Sequence, residues 1–324
     1  MMKSAAVAVT LAVLCQSSWA ADGKSTLSLN LENDLFGTGN DRHYTHGGEV
    51  GFVSDTYQPA WLLRTASLLP FYESGADTRV AWTLGQKMFT PDDLSATEVI
   101  ENDRPYAGWL YTGVGLITDN RVGLRRMDRL ELQIGIVGPD SGAESIQTRV
   151  HRMTDSQRPR GWDNQLDDEF TIDLIYQRQW TLPIIDNHID VVPMAGFDLG
   201  TSMRYVNTGF TLRVGSGTNS DYGPPLMRPS APGTGYFQPG QAFYWYLFAG
   251  VNGRYVDHDL FLEGNSDGKS HGVEIEHWVG DVQVGAVMGA GNWRLTLTNI
   301  FRTREFIGQE EPDEFGAISL SYRF

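Results

Sequence analysis

Phe170-Thr-Ile-Asp-Leu-Ile-Tyr-Gln-Arg-Gln-Trp180 puts Phe170, Ile172, Leu174, Tyr176 and Trp180 on one side of an extended chain, with Thr171, Asp173, Gln177 and Gln179 on the other. Ile175 and Arg178 depart from the pattern, yet its period is two, that of a strand with one mainly apolar face. The same alternation returns where Leu130, Leu132, Ile134 and Ile136 enclose Glu131 and Gln133, and where Trp293, Leu295, Leu297 and Phe301 enclose Arg294, Thr296 and Thr298. A soluble sandwich alternates in this way too. The aromatic residues at segment ends separate the two architectures, because Tyr106, Trp109 and Tyr111, and again Phe243 and Trp245, stand where the interfacial girdles of a transmembrane barrel lie. At the C-terminus Ile318, Leu320, Tyr322 and Phe324 alternate with Ser319, Ser321 and Arg323 up to the last residue. An alternating strand closed by a terminal aromatic is what outer-membrane barrels present to their assembly machinery.

Beyond the first residues no apolar run approaches the roughly 20 residues of a membrane-spanning helix. Alternating segments between Ser25 and Phe324 number about twelve, an even count of the kind bacterial barrels show. The expected fold is therefore all-β: a transmembrane, antiparallel, up-and-down barrel of about twelve strands. With both termini in the periplasm, the connections after the first, third and fifth strands emerge on the extracellular side. They fall near Asp34 to Arg42, Phe89 to Arg104 and Pro139 to Leu166. Two periplasmic connections are long, Asp55 to Asp77 and Gly215 to Gln241. Pro59 to Pro70 reads as a small amphipathic helix, and Asp221 to Gly240, rich in Pro and Gly, as irregular chain.

Met1-Met2-Lys3 supplies a positive charge, Ala5 to Leu14 an apolar run too short to cross a bilayer, and Ser18-Trp19-Ala20 a small-residue end. That is the order of a secretory signal peptide, with cleavage expected after Ala20 and a single barrel domain over 21–324. Cys15 follows Leu14 rather than a small residue, which argues against a lipid anchor, and cleavage removes this one cysteine. Disulfides, thiolate metal sites and cysteine nucleophiles are then excluded. Roughly 300 remaining residues are compatible with one large barrel or two soluble domains, so length does not decide. A formal charge of -15, with 40 Asp and Glu against 25 Lys and Arg, disfavours a nucleic-acid partner and suits oxygen-rich calcium sites.

Two segments carry candidate chemistry. In Gly138-Pro-Asp-Ser-Gly-Ala-Glu-Ser-Ile-Gln-Thr-Arg-Val-His151-Arg-Met153, Ser141 followed by Glu144 forms a capping-box pattern, so a short helix is expected to start there, inside an extracellular loop. Gln147 and His151, one turn apart, share a face, while Ile146, Val150 and Met153 provide an apolar flank suited to the barrel wall or to an acyl chain. The plainer reading of a histidine on such a helix is a solvated side chain. The second segment is Glu32-Asn33-Asp34-Leu35-Phe36 with Asp41-Arg-His-Tyr-Thr45-His-Gly47 after it. Asn and Asp at a strand end commonly do no more than start a turn. Alternation aims Asn33 and Asp34 at opposite faces unless the strand ends or bulges there. Asp34 is also a candidate calcium ligand. Asn265-Ser-Asp267-Gly268 lacks the remaining ligands of a calcium loop; HExxH is absent, and no His is followed two residues later by Ser.

The chain resembles the outer-membrane lipid A 3'-O-deacylases of the LpxR type. Seven ordered motifs carry the resemblance: Glu32-Asn-Asp-Leu-Phe36, Asp41-Arg-His-Tyr-Thr45, Arg104-Pro-Tyr-Ala-Gly-Trp109, Val137-Gly-Pro139 through His151, Gly161-Trp-Asp-Asn-Gln-Leu166, His258-Asp-Leu-Phe-Leu-Glu-Gly-Asn265 and Arg302-Thr-Arg-Glu-Phe306. It implies a twelve-stranded barrel, a Ca2+ requirement, and a site formed by Asn33, Asp34, Thr45, Gln147 and His151, with Asp34 on the metal. His46 stands where many members carry Asn, and Asp155 or Asp163 is a candidate further ligand. The implied partners are lipid A or lipopolysaccharide, the lipids of the outer membrane and the barrel-assembly machinery. The implied reaction is hydrolysis of the 3'-linked acyloxyacyl ester in the outer leaflet: His151 takes a proton from water, the water attacks the carbonyl, calcium at Asp34 stabilises the oxyanion, and Gln147, Asn33 and Thr45 orient the reactants. The alternatives are an outer-membrane phospholipase-like esterase and a non-catalytic barrel serving as scaffold or pore.

Overall fold

Alternating polar and apolar residues over ten or more positions favour strands whose two faces meet different surroundings, and closing the sheet leaves no unpaired edge. In a computed structural model, which describes residues 25–34, 43–56, 59–67, 72, 75–223, 236–238 and 242–324, these segments form one antiparallel sheet of thirteen strands. They are β1 (Thr26–Asn33), β2 (His43–Val53), β3 (Asp77–Thr90), β4 (Ala107–Asn120), β5 (Arg126–Val137), β6 (Glu169–Trp180), β7 (Leu182–Ile185), β8 (Ile189–Gly200), β9 (Met203–Ser216), β10 (Phe243–Asp259), β11 (Trp278–Ala290), β12 (Trp293–Arg302) and β13 (Asp313–Arg323). Each barrel strand pairs with its neighbours, β1 meets β13, and β6 meets β8 directly, so twelve strands close the barrel. β7 is the extra one, a four-residue addition paired to β8 at the end that holds Ser25 and Phe324. The expected cleavage after Ala20, with Cys15, falls outside the described residues, as do Leu35, Phe36, Asp41 and Arg42 of the two N-terminal motifs.

The barrel is apolar outside and charged inside, the reverse of a soluble sandwich. On β6, Phe170, Ile172 and Leu174 are exposed while Thr171 and Asp173 are fully buried; on β12, Leu297 and Phe301 are exposed and Arg294, Thr296 and Thr298 are buried. A buried charge is tolerated only when paired. Arg213 accordingly sits between Asp190 and Asp221, each at 2.6 Å, and Arg254 between Asp281 at 2.7 Å and Glu305 at 2.8 Å.

Phe243 and Trp245 face outward, as a girdle requires. Tyr106, Trp109 and Tyr111 do not. All three are buried, Trp109 completely, with its indole N–H donating to Thr171 Oγ1 at 3.0 Å and its ring stacked on Tyr111 at 4.3 Å. Gly85 and Gly135 make the room, since a Cβ at either would lie 2.4 Å from Tyr111 or Trp109. Trp109 and Tyr111 therefore fill the lumen rather than anchoring the interface, while Tyr106 is buried elsewhere, against Trp162.

At the end with Ser25 and Phe324, helix α1 (Ala60–Ala66) lies within the expected amphipathic segment, whose last residues, 68–70, are outside the described set. Described residues of the long connection after β9 lie in the barrel mouth at this end. Tyr222 and Tyr236 are buried there, donating to Asp119 Oδ1 at 2.5 Å and Asp119 Oδ2 at 3.2 Å, and Arg323 donates to the Phe237 carbonyl at 2.9 Å.

Candidate active site

The opposite end of the barrel carries the loops after β1, β3 and β5, and two irregularities there set the candidate residues. Along β1, Leu27, Leu29 and Leu31 face outward, so the period aims Asn33 outward too, and the strand ends with it; Asp34, the next residue, is buried. Along β2, Tyr44 and Glu49 both face inward although they are an odd number of residues apart. The parity break is a bulge: Tyr44 pairs with Phe89 and His46 with Met88, leaving Thr45 as the inserted residue. A bulge re-aims side chains next to a strand end. Here it buries Thr45, whose hydroxyl lies 2.7 Å from that of Thr90, and turns His46 outward beside Asn33, its cross-strand partner. Asn33 Nδ2 donates to the Thr45 carbonyl at 2.8 Å and ties the two strands together at this point.

The loop after β5 forms a 3₁₀ turn, Pro139–Ser141, and then helix α2 (Ala143–Thr154). The capping box does not form. Ser141 Oγ donates instead to the Gly138 carbonyl at 2.6 Å, and the helix is preceded by Gly142 in a left-handed conformation (φ 71°), which a residue without Cβ adopts at little cost. The helix lies against the outer surface of the wall rather than over the lumen. Gln86 Nε2 donates to the Ser141 carbonyl at 2.6 Å, and Gly108 leaves the space into which Ser141 and Ala143 pack, where a Cβ would come within 2.2 and 2.3 Å of them. Met88, Leu94, Tyr106, Ala143 and Trp162 form the apolar seam of this attachment. Burial pushes the Tyr106 phenol up to about 12, so it remains neutral in that seam.

Gln147 and His151 share the buried face of α2, as their spacing requires, and both polar ends are oriented by the following segment. Trp162 Nε1 donates to Gln147 Oε1 at 2.7 Å. The amide oxygen is thereby fixed toward Trp162, and Gln147 Nε2, buried and without a hydrogen-bond partner, is left as a donor. His151 Nδ1 bonds the Gln157 carbonyl, which accepts only from N–H; the proton is thus assigned to Nδ1, and Nε2 is the basic nitrogen. The chain reaches that carbonyl by leaving the helix through Asp155 in a left-handed conformation (φ 57°).

Asn33, Thr45, Gln147 and His151 line one cleft of about 70 Å³ between the wall and the helix, together with His46, Met88, Ile146 and Val150 among others. Four of the five residues singled out in the sequence thus meet. Asp34 is buried next to Asn33 in the chain but is not among the side chains lining the cleft. Asp155 and Asp163 are exposed and do not line it either. Among the described residues no three His, Cys, Asp or Glu side chains gather as a metal cluster. The buried carboxylate of Asp34, next in the chain to the Asn33 amide, is an oxygen donor of the kind that fits a hard cation such as calcium and not a thiolate- or imidazole-seeking metal. Sequence reasoning missed Trp162 and Gln157. Trp162 lies in one of the seven motifs, whereas Gln157 acts through its backbone carbonyl, for which no residue type is diagnostic.

The chain matches, over residues 5–324, the model of a family described as outer membrane protein LpxR. Among solved structures, LpxR from Salmonella typhimurium superposes with a TM-score of 0.75 at 20% identity, covering 92% of this chain and 100% of that one. The β domain of the Bordetella autotransporter Brka aligns with a TM-score of 0.43 at 11% identity over 93% of this chain and 98% of its own. The translocator domain of the autotransporter NalP from Neisseria meningitidis aligns at 0.42 and 12% over 99% and 97%. No curated protein sequence matches the chain significantly.

Proposed function

The chain belongs to the LpxR family of outer membrane proteins, and from that premise we propose that it is a calcium-dependent hydrolase that removes the 3'-linked acyloxyacyl chain from lipid A. The observation that carries this reading is the paired orientation on α2: a basic His151 Nε2 and a donating Gln147 Nε2, one turn apart on the buried face and lining one cleft.

Ester hydrolysis needs a base for water and a donor for the oxyanion. His151 Nε2 takes a proton from water as its oxygen bonds to the ester carbonyl carbon. The carbonyl oxygen, now carrying the negative charge, accepts from Gln147 Nε2. On collapse the bond from the acyl carbon to the sugar 3'-oxygen breaks, and the proton held by His151 passes to that oxygen, releasing the fatty acid and a free hydroxyl. Asn33 and Thr45, tied to each other at the rim, position the ester. Residues that would hold calcium are Asp34 and the neighbouring amide and hydroxyl oxygens, and the chemistry it supplies when bound is Lewis-acid stabilisation of negative charge on the carbonyl oxygen.

Ser25, the first described residue, and Phe324 lie together at the end opposite the cleft, and a periplasmic position of that end supports a cleft at the outer leaflet, where lipid A resides. The alternating C-terminal strand, ending in Phe324, supports engagement of the barrel-assembly machinery during biogenesis. Mass spectrometry of lipid A from cells expressing the chain tests the reading: loss of the 3'-linked acyloxyacyl mass supports it, shortened glycerophospholipids indicate a phospholipase-like esterase, and unaltered lipids indicate a non-catalytic scaffold or pore.

A further inference from the structure

The outward residues of β1, β2 and β3 form rows fixed by strand register. The topmost is Asn33, His46 and Met88, the next Leu31, Gly48 and Gln86, and the third Leu29, Val50 and Leu84. The top row belongs to the cleft, and the third is exposed and apolar. Between them Gly48 leaves the wall bare: a Cβ there would meet only His46 Nε2 at 3.5 Å and Leu31 Cδ2 at 4.0 Å, ordinary contacts that a larger side chain can make. Gln86, whose amide is held by the Ser141 carbonyl, bounds this gap on one side, and Leu31 bounds it on the other. The helix side of the cleft above is apolar as well, through Ile146 and Val150.

We propose that the shallow track floored by Gly48 and continued by Leu29, Val50 and Leu84 seats the acyl chain whose ester lies in the cleft. This rests on the deacylase reading and adds to it how the chain is held. Three features argue for an acyl chain as the occupant. The track runs on directly from the cleft, it lies on a wall that faces hydrocarbon, and below Asn33 and His46 its rows pass through Leu31, Gly48 and the bounding Gln86 to become wholly apolar at Leu29, Val50 and Leu84. An acyl ester has the same order, a polar carbonyl followed by hydrocarbon. Strands rise about 3.3 Å per residue, so the four residues from His46 to Val50 carry the track roughly 13 Å down the wall. Gly48 is in this account a specificity-determining position: a side chain on it pushes the acyl chain off the wall and draws the ester away from His151.

The test uses lipid A carrying a photoreactive diazirine at the end of its 3'-linked chain, bound in detergent micelles to the full-length barrel in which His151→Ala prevents turnover. Photoadducts are expected on Leu29, Val50 or Leu84. Adding Gly48→Leu should reduce them about tenfold, the order that a misfitted apolar contact costs in a binding pocket, with Gly48→Val giving a smaller reduction. Gly253→Leu is the matched control, an outward glycine on β10 with nothing within 4 Å of its Cβ position, and should leave labelling unchanged. Adducts spread evenly around the wall, or labelling indifferent to Gly48→Leu and Gly48→Val in barrels that remain heat-modifiable, would overturn the track. Adducts on the track with a wild-type chain that leaves lipid A intact would support the track and refute the deacylase reading, so the two failures are distinguishable.

Discussion

Trp162 Nε1 donates a 2.7 Å hydrogen bond to Gln147 Oε1, and this bond determines which end of the Gln147 amide faces the cleft. With the oxygen satisfied by the indole, the donor nitrogen is what remains for a substrate carbonyl. Trp162 also packs on Tyr106 at 5.0 Å between ring centroids, so its position is set independently of Gln147.

Trp162→Phe keeps the ring packing and removes the donor. The Gln147 amide is then free to flip and to present its oxygen, which repels a developing oxyanion. One hydrogen bond is worth about 1 kcal/mol, so kcat is expected to fall about fivefold with KM little changed, in a barrel whose heat modifiability is intact. Steady-state kinetics on lipid A micelles read the split; a rise in KM alone would make Trp162 a packing residue only.

Calcium removal gives the second prediction. Asp34 is buried at the rim, and among the described residues no three His, Cys, Asp or Glu side chains gather as an alternative metal cluster. Deacylation should stop in excess chelator and return on adding calcium, and Asp34→Ala should stay inactive at calcium concentrations that restore the wild type. Full turnover in chelator would take the metal out of the reaction.

How far the sequence carried this account depends on what each residue's neighbours leave unsaid. The barrel was legible because Asp173 between Ile172 and Leu174 states both faces of the wall at once. The shared face of Gln147 and His151 followed from their spacing alone. The placement of Trp109 and Tyr111 did not, since an aromatic at a strand end reads alike whether it points to lipid or into the lumen; Gly85 and Gly135, which admit the rings, act from other strands. The bulge at Thr45 has no local signature, because it exists only relative to the register with β3. The helix begins in the expected loop, but at Ala143 behind Gly142 rather than through a capping box, because the Ser141 hydroxyl donates to the Gly138 carbonyl and accepts from the Ala143 N–H within the preceding turn.

The third prediction concerns the end of the barrel opposite the cleft. Asp119 receives the hydroxyls of both Tyr222 and Tyr236 and pairs with Arg121 at 2.9 Å. Asp119→Ala leaves two buried phenols without their acceptor, at about 1–3 kcal/mol each for a lost partner, so the transition from the folded to the heat-denatured band should move to lower temperature. Activity measured below that transition should be little changed, since the cleft is at the other end. An unshifted transition would mean that the returning segment contributes nothing to stability.

The central claim is that His151 is the base. The most direct measurement is the lipid A mass spectrum of cells expressing three chains at equal levels of heat-modifiable barrel: wild type, His151→Ala and His188→Ala. His188 is an exposed residue of the turn between β7 and β8, at the end away from the cleft, and serves as the control. Loss of a general base costs about 10²- to 10⁴-fold. The account predicts that wild type and His188→Ala shed the 3'-linked acyloxyacyl mass, while His151→Ala leaves lipid A essentially intact. Deacylation by His151→Ala equal to that of His188→Ala would contradict it.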